Sequence, residues 1–169
     1  MKTIPLAQRV NRIRRNHGLE HASIHVLSEK NVRRSIAGHS DSGGFWLIGD
    51  LTLEETRAAV EEALKRLRAG ERQLAVHPNC GTNFVVSGAA AGLFGALSMT
   101  GAGNKRTAVL ERLPLAILLS TVALIASRPL GMRVQERITT NGDPGNLQII
   151  DIRQSRRGNL IMHRVETRS

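Results

Sequence analysis

Aromatic side chains are almost missing from this 169-residue chain: Trp46 and three Phe are all it has, and there is no Tyr. Platforms that stack single-stranded bases need such rings, so that mode of nucleic-acid binding is excluded. Cysteine is reduced to Cys80. An intrachain disulfide framework is therefore impossible, and a lone thiol fits a reducing compartment. A P-loop, a G-x-G-x-x-G after a strand and a nucleophile elbow are also absent, which argues against ATP-driven and dinucleotide chemistry. The opening Met-Lys-Thr-Ile-Pro leads into arginines instead of an apolar segment, so it does not read as a signal peptide.

Acidic residues are few, 14 against 24 Lys and Arg, for a formal charge of +10. The excess is spread out: residues 1–72 hold 13 basic and 9 acidic side chains, residues 128–169 hold 8 and 4. Such a balance suits nucleic acid or anionic lipid headgroups, and charge alone does not choose. The middle of the chain lacks charge altogether. No formally charged residue occurs from Gln73 to Asn104, and Phe84–Ala102 is a 19-residue uncharged run. After a basic break at Lys105-Arg106, Leu113–Ser127 is again uncharged and strongly apolar, closed by Arg128-Pro129. About 20 apolar residues cross a bilayer core of roughly 30 Å. Two such runs exceed what so small a soluble core needs, so they predict a transmembrane hairpin. The second run reaches full length if its helix starts near Thr107. Gly88, Gly92 and Gly95 give the first run a small face suited to close helix packing in lipid.

The flanks read as α+β. Leu6, Val10 and Ile13, continued by Leu19, Ile24 and Leu27, predict a helix over 5–28. Residues 38–44 predict a polar turn and Phe45–Ile48 a short buried strand. Thr52 before Leu53-Glu54-Glu55 is a capping box that starts a helix ending at Gly70. Leu147–Arg153 and Leu160–Val165 predict a C-terminal β-hairpin. The expected organisation is an N-terminal domain over 1–82, the transmembrane hairpin over 83–130 and a C-terminal β segment over 131–169 on the same side as the first domain. Arg66, Arg68, Arg72, Arg128, Arg133 and Arg137 outnumber Lys105, Arg106 and Arg112 of the connecting turn, which favours a cytoplasmic soluble part in a multi-pass cytoplasmic (inner) membrane protein.

Chemistry concentrates in two short elements. His17-Gly18-Leu19-Glu20-His21 has the H-x-x-E-H order of inverted zincins. On a helix His17 and His21 share a face and suit one Zn²⁺, Glu20 lies one residue's rotation away as a general base, and His25 continues the stripe. His77-Pro78-Asn79-Cys80-Gly81-Thr82 forms a fixed turn just before the first apolar run. Cys80 would complete a His₂Cys set with one open position, as in a catalytic zinc site. His77 is either an alternative ligand or a donor that orients one. Asn79 is the nameable oxyanion stabiliser. His39 and His163 read as surface or structural.

Three segments, His17–His25, His77–Phe84 and Arg128-Pro129-Leu130-Gly131 through Arg137-Ile138-Thr139-Thr140 to Leu147-Gln148-Ile149, follow the order of motifs in the YqhQ-like membrane proteins, which this chain resembles. They cover about a third of it. The resemblance implies an integral membrane protein, a predicted metal-dependent enzyme of unestablished reaction, with His17, Glu20, His21, His25, His77 and Cys80 as the matching positions. The stretch between the first two motifs is longer here, and the membrane helices are fewer. The expected function is that of a membrane-bound, zinc-dependent hydrolase or peptidase at the membrane face, with the lipid bilayer as its environment and no specific nucleic acid. The alternative is a non-catalytic subunit or biogenesis factor of a larger membrane complex, in which the same residues form a closed structural metal site.

Overall fold

The protein is described here by a computed structural model covering residues 5–30 (Lys30 by its backbone), 35–103 and 106–169. The expectations that fall on Met1–Ile4 and on Lys105 lie outside the described residues. The architecture is mixed α+β, with five α-helices and one four-stranded antiparallel sheet. Contacts divide the chain into two compact units, one of Met1–His77 with Glu136–Ser169, the other of Pro78–Gln135.

In the first unit the predicted early helix is α1, Leu6–Lys30. Its periodic residues Leu19, Ala22, Val26 and Leu27 are buried. Strand β1, Ala37–Asp41, takes most of the segment expected as a turn, and β2 spans Gly44–Ile48. The actual reversal is confined to Ser42-Gly43, where Asp41 Oδ1 accepts from Gly43 N at 2.7 Å. Polar alternation hid β1, because an edge strand can be polar on both faces and still pair. Helix α2, Leu53–Arg68, starts at the capping box: Thr52 and Glu55 exchange backbone–side-chain bonds of 2.9 and 3.1 Å.

The C-terminal hairpin consists of β3, Gln148–Arg157, and β4, Leu160–Arg168. The strands join through Gly158-Asn159, and Gly158 carries the positive φ of 59° that the two-residue loop requires. Sheet order is β1-β2-β4-β3. Phe45, Leu47, Ile152 and Val165 of its inner face pack with Val60, Ala63, Leu64 and Leu67 of α2 and the buried face of α1. That sheet holds the metal-type face of α1 in place.

The second unit holds α3, Gly81–Ser98, α4, Arg106–Ala126, and α5, Arg128–Val134. Helices α3 and α4 run antiparallel. Ser120 Oγ bonds the Ala91 carbonyl at 3.0 Å, and Ser127 Oγ the Ser87 hydroxyl at 3.1 Å. Gly95 makes room for Ser120, since a Cβ there would stand 2.6 Å from its Oγ, whereas Gly88 and Gly92 face open space. Helix α4 begins well before the uncharged run because Arg112 turns back to the carbonyls of Ser98, Thr100 and Gly101, satisfying the end of α3. Among the described helices, α4 alone is long and apolar enough to cross a membrane. Residues 131–134 and the π-turn Gln135–Thr139 are helical, not part of a β segment.

Candidate metal centre

The four-residue spacing of His17, His21 and His25 puts their rings along one face of α1. The rings of His17 and His21 lie 4.3 Å apart between centroids. His77, which follows the 3₁₀ turn Arg72–Ala75, brings a fourth imidazole 5.9 Å from His21 and 5.0 Å from His25. All four belong to the first unit.

Backbone carbonyls orient three of these rings. His17 Nδ1 lies 3.0 Å from the Thr139 carbonyl, His21 Nδ1 2.8 Å from that of Ala75 and His25 Nε2 2.9 Å from that of Val76. A carbonyl oxygen only accepts, so each neutral imidazole places its N–H there. The lone pair then sits on Nε2 of His17 and His21 and on Nδ1 of His25. Metal-ligating histidines are held in this way. Burial, reinforced by His25 and His21, pushes the His77 pKa down to about 4, so this ring is neutral at physiological pH.

Gly18 explains how the Thr139 carbonyl gets close enough. A Cβ at Gly18 would collide with the Asn141 carbonyl oxygen. Without one, residues 137–141 lie as a strap along α1: Asn141 N donates to the Arg14 carbonyl at 2.9 Å, and Arg14 Nη2 donates to the carbonyls of Arg137 and Thr140 at 2.9 and 3.1 Å. A cavity of about 290 Å³ opens between this strap and the Ala75-Val76 backbone, with Arg72 and Glu136 among its lining residues.

Cys80 is buried at the N-cap of α3. Three residues of chain separate it from His77, a reach of at most ~11 Å. It belongs to the second unit. With His17 and His21 it makes up the donor set expected from the sequence, one thiolate and two imidazoles, which suits zinc.

Glu20 belongs to the first unit and is buried. Its side chain turns to β1, where Ser40 Oγ donates to Oε2 and the carboxylate lies against Gly38. Burial raises its pKa, opposed by the Ser40 bond and by His17 and His39. Asn79 is exposed, His39 is exposed on β1, and His163 is fully buried on β4 with neither ring nitrogen bonded among the described residues. The reading of the sequence missed Ser40 and the three orienting carbonyls. Gly18, inside the H-x-x-E-H element, was the available signal for a close backbone approach.

A family model described as a domain of unknown function, DUF6391, matches residues 12–152. An uncharacterized protein of Picosynechococcus sp. is 33% identical over 157 residues, covering 85% of this chain and 72% of its own length. No solved structure matches.

Proposed function

We propose that this chain, which belongs to the DUF6391 family, is a membrane-bound, zinc-dependent protein of hydrolase or peptidase type. The observation that carries the metal reading is the run of four imidazoles, His17, His21, His25 and His77, in which the Nδ1 atoms of His17 and His21 donate to carbonyls and so assign Nε2 as the ligating atom, with Cys80 as the proposed third ligand. Zinc held by three protein ligands with a fourth position open supplies Lewis acidity toward water near neutral pH. The chain's own part is to fix the ligands through the carbonyls of Thr139 and Ala75, and to keep Glu20 as a buried base of raised pKa. An acid tuned upward in this way matches proton transfer at neutral pH better than an exposed carboxylate does. His77 and His25 lie along the same run of rings as further imidazoles, in line with the resemblance to YqhQ-like proteins.

The membrane part of the reading is supported by exposed apolar surface. Among the described residues, 14 of the 19 exposed large hydrophobics lie in 84–130, including Phe84, Val85, Ile117 and Ile125. Only 6% of the most apolar window of α4 is buried, unlike the core helix of a soluble protein. Such a surface is expensive in water and comfortable in lipid. We take α3 and α4 as the two arms of a hairpin in the cytoplasmic membrane, with the sheet unit on the cytoplasmic side.

The bond between Glu20 and Ser40 favours a second reading, in which the carboxylate is structural and the metal serves to pin the turn at Cys80. Metal analysis of detergent-purified protein separates these cases. One zinc per chain, lost in His21→Ala and in Cys80→Ala with the helical signal retained, supports the site; full metal content in Cys80→Ala removes that residue from it. Peptide hydrolysis by the wild type that disappears in a metal-replete Glu20→Gln variant supports catalysis. Stoichiometric metal without hydrolysis of a broad peptide library leaves the structural reading.

A further inference from the structure

The first three turns of α1 carry a pattern that neither the core nor the metal centre uses. Leu6 is 77% exposed and Val10 46%, although both belong to the apolar stripe that runs through Ile13. At about 100° per residue, Leu6, Val10 and Ile13 fall on one face. Arg9 and Arg14 flank that face on either side, and Gln8, Asn11, Arg12 and Arg15 lie opposite. No acidic residue precedes Glu20, so this end of the helix carries positive charge alone. A basic first turn also opposes the helix dipole, which is unfavourable unless anions lie nearby. The strap adds to the surface. Arg14 is bonded to the Arg137 carbonyl, and the neighbouring Ile138 is 63% exposed.

We propose that Leu6, Val10 and Ile138, bordered by Arg9 and Arg137, form a surface that docks onto an anionic lipid headgroup layer. Shallow apolar insertion combined with flanking arginines that reach phosphates is the chemistry of an interfacial amphipathic helix. Nucleic acid is the weaker fit, because the face is apolar at its centre and holds no ring to stack on a base. The inference rests on the membrane part of the reading above, and makes no use of the metal.

The test uses the full chain with Trp46→Phe and Leu6→Trp, so that the sole indole reports on the tip of α1. The protein is reconstituted into vesicles of phosphatidylcholine alone, or of phosphatidylcholine with phosphatidylglycerol. The expected result is a blue-shifted emission, quenched by brominated lipid, in the anionic vesicles. High salt should weaken it, and Arg9→Glu with Arg137→Glu should abolish it while metal content and circular dichroism stay unchanged. Water-like emission in both vesicle types overturns the inference, as does a shift produced by an RNA oligonucleotide in place of anionic lipid. Resistance to alkaline carbonate extraction, read on the same samples, reports separately whether the apolar hairpin is inserted. Failure of that reading is then distinguishable, because extracted protein can still be added to vesicles and scored by the same indole.

Discussion

The two units of this chain handle apolar side chains in opposite ways. In the sheet unit, Phe45, Leu47, Leu19, Val60 and Val165 are essentially solvent-free. In the α3–α4 unit the relation is inverted. Leu and Ile side chains face outward, while serines, Gly95 and one arginine mediate the helix pairing. The first pattern is what water selects; the second is what the proposed lipid setting would tolerate. Apolar content alone does not reveal which regime a helix obeys, whereas the direction its apolar residues face does.

The sharpest way to break this comparison is a pair of truncations. Phe45→Ala should destabilise the sheet unit by about 3–5 kcal/mol, seen as a large drop in Tm, because it empties a packed core position. Ile117→Ala, at a residue 65% exposed, should change stability in detergent by no more than about 0.5 kcal/mol. Equal losses would mean that α4 packs into a core of its own.

A smaller effect is expected from metal. Zinc at 100 times its Kd should stabilise the wild type by about 2.7 kcal/mol, and His21→Ala should erase the gain. Gly18→Ala, which crowds the Asn141 carbonyl, should weaken zinc affinity by upsetting the orientation of His17 without touching a ligand. Unchanged affinity in that variant would show that the strap is irrelevant to the site.

His163 sharpens the contrast inside the sheet unit, since it is a buried imidazole without the carbonyl partners that His17, His21 and His25 enjoy. Burial lowers its folded-state pKa below the ordinary 6.5. Below pH ~6.5 the unfolded chain therefore binds a proton that the folded chain refuses. Stability should be complete above that pH and should fall as the pH drops toward the lowered value. His163→Leu should remove this component and raise stability by about 1–2 kcal/mol at acidic pH, measured by denaturant unfolding. A destabilised variant would point to a partner for the ring. Smallest of all, Thr52→Ala should cost about 1 kcal/mol through loss of the capping box.

The local features were legible in the chain. The cap at Thr52, the turn at Gly158, the helical spacing of His17, His21 and His25, and the uncharged middle all follow from interactions within a few residues. β1 was not legible, because its pairing with β2 makes up for a polar sequence that propensity reads as a loop. The start of α4 was only partly so, since it depends on Arg112 reaching carbonyls some eleven to fourteen residues away.

Sequence by itself determined which residues could bind a metal, and that a long apolar stretch had to find some refuge from water. Tertiary structure alone decided which nitrogen each imidazole presents, that Glu20 turns to Ser40, and that a strap from residue 137 onward lies on Gly18. These outcomes depend on groups more than 120 residues apart in the chain meeting at hydrogen-bond distance. Side-chain periodicity encodes a helix face. It does not encode which distant carbonyl arrives there.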